Sequence, residues 1–192
     1  MLKTLITNNC WGGVISSNYK MPFCSPTINL QILPEEFPEF CQHLKFYMQQ
    51  ELVECKELTA WHRDYMEHMF GDEFPNCPLG LLCDMLVVFQ HYESFSEAKA
   101  AWDRRKKRID YDNIGYLFHV KNVTYSAPAR DFMKLDLPNS ICITEDFELE
   151  GAYAFHVPEG MDAFGGINDH GRMRRIIEEN FSIKDWLEGK YA

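Results

Sequence analysis

The stretch Leu2–Gly13, LKTLITNNCWGG, opens the chain and is the part of the sequence that best indicates the fold. Its first part, Leu2–Ile6, is a short apolar run typical of a buried strand. Its second part, Asn8–Gly13, is a polar turn that contains two glycines. Open α/β sheets build their sites at the carboxyl ends of strands. The stretch therefore predicts an α/β sheet and a candidate site at the end of the first strand.

Later segments alternate between apolar runs and helical patterns, as α/β folds do. We predict further strands over 28–33, 85–89, 114–120, 141–144 and 152–157. We predict helices over 34–52, from the capping box at Ser94 into the basic run 104–108, from Ser126, and over 172–180. Two segments lack a regular pattern. We expect residues 54–78 to form an irregular excursion with one small strand pair or helical turn, and residues 158–171 to form a loop rich in glycine and aspartate.

The run Met85–Phe89 is apolar at every position, which is typical of a strand that is buried on both faces of a parallel sheet. We therefore expect it to be the central strand. Strands that alternate with helices usually run parallel, because the helix carries the chain back to the starting edge. The sequence predicts a single α/β domain over residues 1–192, layered α/β/α around a mostly parallel twisted sheet.

Composition narrows the function classes. The formal net charge of the 192 residues is −10, which argues against a general nucleic-acid binder because such proteins gather phosphates with a positive field. No apolar run approaches the roughly 20 residues that cross a bilayer, and the amino end has no signal-peptide pattern, so we expect a cytoplasmic protein without membrane insertion. The seven cysteines are scattered and never spaced as C-x-x-C, which indicates neither a disulfide framework nor a zinc site.

Cys10 is the cysteine with the most reactive predicted setting. A thiol where a strand turns into a helix feels the positive end of the helix, which lowers its pKa. Gly12 and Gly13 would let backbone N–H groups approach an oxyanion or a phosphate. His91 follows the expected central strand, so we expect it at the same edge of the parallel sheet as this turn, where it would serve as the base. The competing interpretation, which we rank first, makes Cys10 a small buried residue and the glycines simple turn formers.

Asn8, Asn9 and Trp11 form a candidate binding set in the same turn. Two amides suit hydrogen bonding to sugar hydroxyls, and an indole offers a flat apolar face with one donor at its edge. Asparagines also cap turns at strand ends, and a tryptophan can belong to the core, so both interpretations stay open.

The basic run 104–108 stands out in an acidic chain. Cations offset the dipole at the end of a helix and usually lie in solvent. The alternative, which we rank second, is that one or two arginines, Arg104 or Arg105, turn inward and bind a phosphate. The segment Asp110–Asp112 matches the D-x-D pattern that holds a divalent metal and a nucleotide diphosphate in many glycosyltransferases, but a turn explains it as well. We favour the turn and predict no metal ligands. The cofactor stays open, with a divalent metal and a sugar nucleotide as the candidate.

Four blocks of the first 115 residues, taken in order, resemble a bacterial family often labelled as exopolysaccharide biosynthesis proteins. The matching blocks are Asn8–Gly13, Ser25–Leu30, Phe89–Tyr92 and Trp102–Ile109 followed by Asp112-Asn113. The resemblance implies a bacterial cytoplasmic α/β protein whose relatives lie among surface-polysaccharide genes. It implies no established reaction. Ser25 and Tyr92 lie in these blocks and join the expected substrate-binding residues.

Three hypotheses for the function follow from these observations. The first is a transferase of exopolysaccharide or capsular polysaccharide biosynthesis that acts on a sugar, sugar phosphate or nucleotide-linked sugar, with His91 as the base. The second is a transferase of acyl or related groups with Cys10 as the nucleophile. The third is a non-catalytic module that binds a glycan or a partner through the aromatic side chains of Trp61, Tyr65 and Phe70, which we expect to be exposed.

Overall fold

A computed structural model of the chain describes residues 1–70, 76–156 and 181–190. Its strands are β1 Thr4–Thr7, β2 Gln31–Ile32, β3 Leu52–Glu54, β4 Leu79–Leu82, β5 Met85–Val88, β6 Ile114–Val120, β7 Ser140–Glu145 and β8 Tyr153–Phe155. Its helices are α1 Trp11–Asn18, α2 Phe37–Gln42, α3 Leu44–Gln49, α4 Ala60–Phe70, α5 Phe95–Lys106, α6 Ser126–Lys134 and α7 Ile183–Leu187. The predicted α/β class is confirmed.

The strands form two sheets of four. In the first sheet the order is β1-β6-β7-β8 and every neighbouring pair is parallel. Its long strand β6 is buried along its whole length, because apolar side chains of α6 and of the other sheet pack on one face and those of α1 and α7 on the other. In the second sheet the order is β2-β5-β4-β3 and every pair is antiparallel. The prediction of a mostly parallel sheet therefore holds for the first sheet and not for the second.

The strand at Met85–Phe89 is a correction to the prediction. It is an inner strand, β5, but it belongs to the antiparallel sheet, where it pairs with β4 through a tight hairpin at Cys83 and Asp84. All four residues of β5 are buried. A continuous apolar run indicates that a strand is buried on both faces, but it does not indicate the direction of the neighbouring strands.

Two further segments differ from the predicted pattern. The helix expected over 34–52 is divided into α2 and α3 at His43, whose φ of −113° and ψ of 28° are not helical, and Leu52 starts strand β3. The excursion expected over 54–78 contains the 11-residue helix α4. The predicted loop at 158–171 and helix at 172–180 lie outside the described residues.

The strand expected over 28–33 is reduced to the two residues of β2, because residues 26–29 form a turn in which Asn29 has a φ of 64°. Four other expected elements are confirmed within small shifts of their ends. The first strand, β6, α6 and β7 lie where the apolar pattern placed them. Helix α5 begins with Ser94 as its N-cap, and the Ser94 hydroxyl accepts the Glu97 N–H at 3.2 Å, as the capping box predicts. In the part of the chain that the structure describes, no helix is long and apolar enough to span a membrane.

Asn8 joins the two sheets at the end of β1. Its main-chain carbonyl accepts the N–H of Ile32 in β2 at 2.9 Å. Its side chain turns the other way, where the amide nitrogen donates to the carbonyl of His119 at 2.9 Å and the amide oxygen accepts the N–H of His119 at 3.0 Å. The backbone ladder between β1 and β6 ends at Thr7 and Leu117, so the Asn8 side chain replaces the next peptide group of that ladder.

Candidate functional site

The thiol of Cys10 faces the imidazole of His91. Cys10 is the N-cap of α1 and the third residue after β1, whereas His91 lies in the turn after β5. The Cys10 Sγ is 3.1 Å from the His91 Nε2 and 3.5 Å from the Gln90 Oε1. Cys10 is half-buried and His91 is exposed, so a molecule in solvent can reach the pair.

The two residues meet by a different route from the one we expected. We placed them at one rim of a parallel sheet, but they come from different sheets. Strand β2 pairs with β5 and also hydrogen-bonds to Asn8 through Ile32, which brings the turn after β5 next to the end of β1. The contact between Cys10 and His91 therefore depends on the junction of the two sheets.

Burial controls the ionisation of Cys10. Removal from water raises the pKa of the thiol to about 11, and the ammonium of Lys121 opposes this rise. The expectation that the helix end lowers the pKa is wrong in sign, because desolvation outweighs the favourable charges. At pH 7 a pKa of about 11 leaves roughly one molecule in ten thousand as the free thiolate. A base that takes the proton during the reaction is therefore needed, and His91 is in position for it.

The first N–H groups of α1 already have partners. The Trp11 N–H donates to the Asn9 Oδ1 at 3.1 Å, the Gly12 N–H to the Thr7 Oγ1 at 3.2 Å, and the Gly13 N–H to the Cys10 carbonyl at 3.0 Å. In this arrangement the glycine N–H groups hold the turn together, and the oxyanion or phosphate contact expected of them stays a prediction.

The two glycines are needed for close packing. A Cβ atom on Gly12 would lie 2.9 Å from the Thr7 Oγ1, and one on Gly13 would lie 3.1 Å from the Asn29 Oδ1 and from the Ile28 Cγ2. Contacts under 3.0 Å essentially never occur for real Cβ atoms. The glycines thus let α1 start directly against β1 and the turn at Ile28 and Asn29.

His119 organises the loop from beneath. Its Nδ1 lies 3.0 Å from the Trp11 Nε1 and 2.9 Å from the Asn9 Nδ2, and its Nε2 lies 3.1 Å from the Glu145 Oε2. The indole N–H can only donate, and the Asn9 amide nitrogen is the donor because its oxygen accepts the Trp11 N–H. The Nδ1 is therefore unprotonated and the ring proton lies on Nε2, towards Glu145.

The burial of this pair favours a neutral imidazole. The side chains of His119 and Glu145 are 2% and 6% exposed. Burial lowers the pKa of His119, and Glu145 opposes that change. Asn8, Asn9 and Trp11 all bind His119, so three of the expected sugar-binding residues have their polar atoms within the protein. Their contact with a sugar stays a prediction that this arrangement does not favour.

The remaining expected residues are distributed around the site. Ser25 is buried, and its hydroxyl lies 2.9 Å from that of Thr27, which accepts the Thr7 N–H at 3.1 Å. The Tyr92 hydroxyl lies 2.6 Å from the Arg105 guanidinium, and Arg105 is half-buried. Arg104 is exposed. Of the two arginines, Arg105 turns inward.

The acidic and aromatic candidates have other surroundings. The Asp110 carboxylate accepts the Lys3 ammonium at 2.9 Å and the Asn113 amide at 3.1 Å, as the turn interpretation predicts. Among residues 1–70, 76–156 and 181–190, no group of three His, Cys, Asp or Glu side chains could hold a metal ion. Trp61 is exposed, but Tyr65 is buried with its hydroxyl near Gln31, so the expectation of an exposed Tyr65 is wrong.

Sequence reasoning missed three residues of the site, namely Gln90, His119 and Glu145. His119 lies near the carboxyl end of β6 and Glu145 is the last residue of β7. The rule that drew attention to the end of β1 applies to every parallel strand, and it would have found both. Gln90 stands beside His91, so only the tertiary contact distinguishes it from an ordinary loop residue.

Comparison with known proteins gives a family without an assigned reaction. A model for a domain of unknown function, DUF1919, matches residues 2–187. A protein of Haemophilus influenzae described as "Uncharacterized protein" is 28% identical over 141 residues, which cover 73% of this chain. The match covers 61% of the Haemophilus influenzae protein. Because the family model matches nearly the whole chain, the protein belongs to the DUF1919 family.

Proposed function

We propose that the protein is a cysteine-dependent group transferase in which Cys10 is the nucleophile and His91 the general base. The observation that carries the proposal is the distance of 3.1 Å between the Cys10 Sγ and the His91 Nε2. A nucleophile and a base within hydrogen-bond reach are the first geometric requirement for covalent catalysis. Acyl transfer is the reaction class that uses this pair with no further cofactor.

The proposed reaction has two steps, and His91 carries the proton in both. In the first step the Cys10 sulfur attacks the carbonyl carbon of an acyl donor, and the thiol proton moves to the His91 Nε2. The bond between the acyl carbon and the leaving group breaks, the leaving group takes that proton, and a thioester forms on Cys10. In the second step a hydroxyl or amine of the acceptor attacks the thioester carbonyl and gives its proton to His91. The bond between the acyl carbon and the Cys10 sulfur breaks as the acceptor bond forms, and His91 returns the proton to the sulfur, which restores the thiol.

The other cysteines support this choice by contrast. Cys41 and Cys142 are buried, and burial raises the pKa of both thiols. Cys83 is exposed, and no hydrogen bond joins its thiol to a histidine among the described residues. Cys10 combines a route to solvent with a contact to a base, which simple packing of a small apolar residue does not require.

The loop around Cys10 also supports catalysis. His119 fixes Asn9 and Trp11 on each side of the thiol, and Asn8 anchors the loop to β6 through two buried hydrogen bonds. A nucleophile on a loop held in this way needs little reorganisation before it attacks. The surface-polysaccharide context implied by the resemblance suggests a sugar hydroxyl as the acceptor, and that choice stays a prediction.

Acylation of Cys10 tests the proposal. We expect a small activated ester such as phenyl thioacetate to add one acetyl group, and peptide mass spectrometry to locate it on Cys10. Cys83, an exposed thiol of the same chain, is the internal control. The Cys10→Ser variant should lose the adduct, and the His91→Ala variant should form it about 100-fold more slowly, as expected for loss of a general base. Equal acetylation of Cys10 and Cys83 would refute the proposal.

A further inference from the structure

We infer that the substrate of the Cys10 site carries an anionic group, a carboxylate or a phosphate, which binds the guanidinium of Arg105. The inference rests on the proposed function and specifies the class of substrate. It is carried by three features of Arg105, which are its place beside the site, the edge of the guanidinium that the protein leaves open, and the absence of a carboxylate partner in the described part of the chain.

Two chains of contacts connect Arg105 to the site. On one side the Arg105 Nη1 donates to the Tyr92 hydroxyl at 2.6 Å, and Tyr92 directly follows His91. On the other side the same nitrogen donates to the Ile28 carbonyl at 3.1 Å. Gly13 lies in the first turn of α1, and a Cβ atom on it would lie 3.1 Å from the Ile28 Cγ2. Arg105 is thus connected to the residue that follows the base and, through Ile28, to the first turn of the helix that begins after the nucleophile.

The two hydrogen bonds orient the guanidinium and occupy one of its edges. A guanidinium has five N–H groups, and both hydrogens of Nη1 are directed at Tyr92 and Ile28. The Nε and Nη2 groups have no hydrogen-bond partner in the described ranges. This pair of nitrogens is the fork that binds carboxylate and phosphate through two parallel hydrogen bonds. Two neutral acceptors therefore fix the orientation of the guanidinium, and its Nε and Nη2 groups stay available to a ligand.

The charge of Arg105 is also unmatched. Nearby Lys106 pairs with Asp103 at 3.1 Å, and Lys99 pairs with both Asp103 and Glu51. Arg105 forms no ion pair within residues 1–70, 76–156 and 181–190, although the chain has an excess of ten negative charges. Its other neighbour is the ring of Phe23, whose centroid is 6.0 Å from the Cζ of Arg105. A half-buried cation without an acidic partner suits an anionic ligand, because the ligand supplies the missing charge.

Alkylating reagents of graded length test the inference. The probes are iodoacetylated ω-amino acids of rising chain length, a matching series with a phosphonate head, and neutral amides of equal length. The rate constant for alkylation of Cys10 is measured by mass spectrometry in the wild type, in Arg105→Gln and in Arg108→Gln. Arg108 is the matched control, because it is exposed on the same segment and its loss changes the net charge equally.

We expect one chain length at which an anionic reagent alkylates Cys10 about fivefold faster than its neutral counterpart. This preference should persist in Arg108→Gln and disappear in Arg105→Gln, and the head group with the larger preference identifies carboxylate or phosphate. An equal preference in the wild type and in Arg105→Gln at every length overturns the inference.

A second measurement separates this inference from the proposed function. Binding of inorganic phosphate to the Cys10→Ser variant is followed by phosphorus NMR, so it does not depend on thiol reactivity. Addition of Arg105→Gln to that variant should weaken binding about fivefold or more, whereas Arg108→Gln should leave it unchanged. Slow alkylation of Cys10 by the neutral amides would refute the proposed function alone, and unchanged phosphate binding in Arg105→Gln would refute the anion site alone.

Discussion

Replacement of Asn8 by alanine should strongly destabilise the fold, because Asn8 joins the two sheets. The side chain is 3% exposed, and its amide makes two hydrogen bonds with the main chain of His119, at 2.9 and 3.0 Å. Alanine removes the amide, so the buried N–H and the buried carbonyl of His119 both lose their hydrogen-bond partners. An unsatisfied buried group costs about 1–3 kcal/mol, so we expect the free energy of unfolding to fall by about 2–5 kcal/mol.

Urea unfolding followed by tryptophan fluorescence and by circular dichroism measures this change. For a chain of this size the expected loss lowers the melting temperature by about 4–20 °C. Asn18→Ala is the matched control, because Asn18 is exposed at the end of α1 and should change stability by less than about 0.5 kcal/mol. Asn8→Asp should be no better than Asn8→Ala, because a carboxylate oxygen would then face the His119 carbonyl. A stability of Asn8→Ala within 0.5 kcal/mol of the wild type, on the scale of typical surface changes, would refute the role of Asn8 as the junction of the sheets.

Three other expectations follow from the same loop. Gly12→Ala should lose about 1–3 kcal/mol in urea unfolding, because its Cβ would lie 2.9 Å from the Thr7 Oγ1; full wild-type stability would contradict the close packing. Trp11→Phe keeps an aromatic ring but removes the donor to the His119 Nδ1, so we expect a loss of about 1 kcal/mol and a slower alkylation of the adjacent thiol, and an unchanged rate would show that the indole does not position it. Because burial lowers the pKa of His119, the neutral ring stabilises the fold above about pH 6.5 and this contribution is lost as the pH falls and the unfolded chain takes up a proton. His119→Gln should therefore lose less stability than the wild type between pH 7 and pH 5 in urea titrations, and parallel losses would argue against a buried neutral imidazole.

The antiparallel sheet could not be predicted because its central hairpin lacks the usual turn residues. The turn of a two-residue hairpin usually contains glycine or asparagine, which adopt positive φ easily. Here the hairpin between β4 and β5 turns at Cys83 and Asp84, and Cys83 takes a φ of 62°. Without a turn signal, the whole segment around Met85–Phe89 was interpreted as a single strand. The parallel sheet was predictable because β6 and β7 are followed or preceded by recognisable helices.

The broken helix shows a related difficulty. The apolar positions Phe37, Phe40, Leu44 and Met48 keep a spacing of three and four residues across the break. Only the backbone of His43 departs from helical geometry, and no proline or glycine marks it. A periodic pattern reports which face is buried, and here that face stays the same on both sides of the break.

The site was partly predictable. The turn Asn8–Gly13 was identified because polar residues and glycines follow a buried strand, and this is where the structure brings Cys10 and His91 together. The role of the asparagines and the indole was not predictable, because no local pattern pairs them with His119, which is more than 100 positions away in the sequence. The sign of the shift in the Cys10 pKa also depends on burial, which a local pattern does not report.

The central claim is that His91 activates the thiol of Cys10, and the pH dependence of Cys10 alkylation by iodoacetamide tests it most directly. In His91→Ala the rate constant should rise about tenfold per pH unit up to the thiol pKa of about 11, as for an unassisted thiol. At pH 7 the wild type should react at least about 100-fold faster than this variant, with a much flatter profile. Superimposable profiles for the wild type and His91→Ala would contradict the claim.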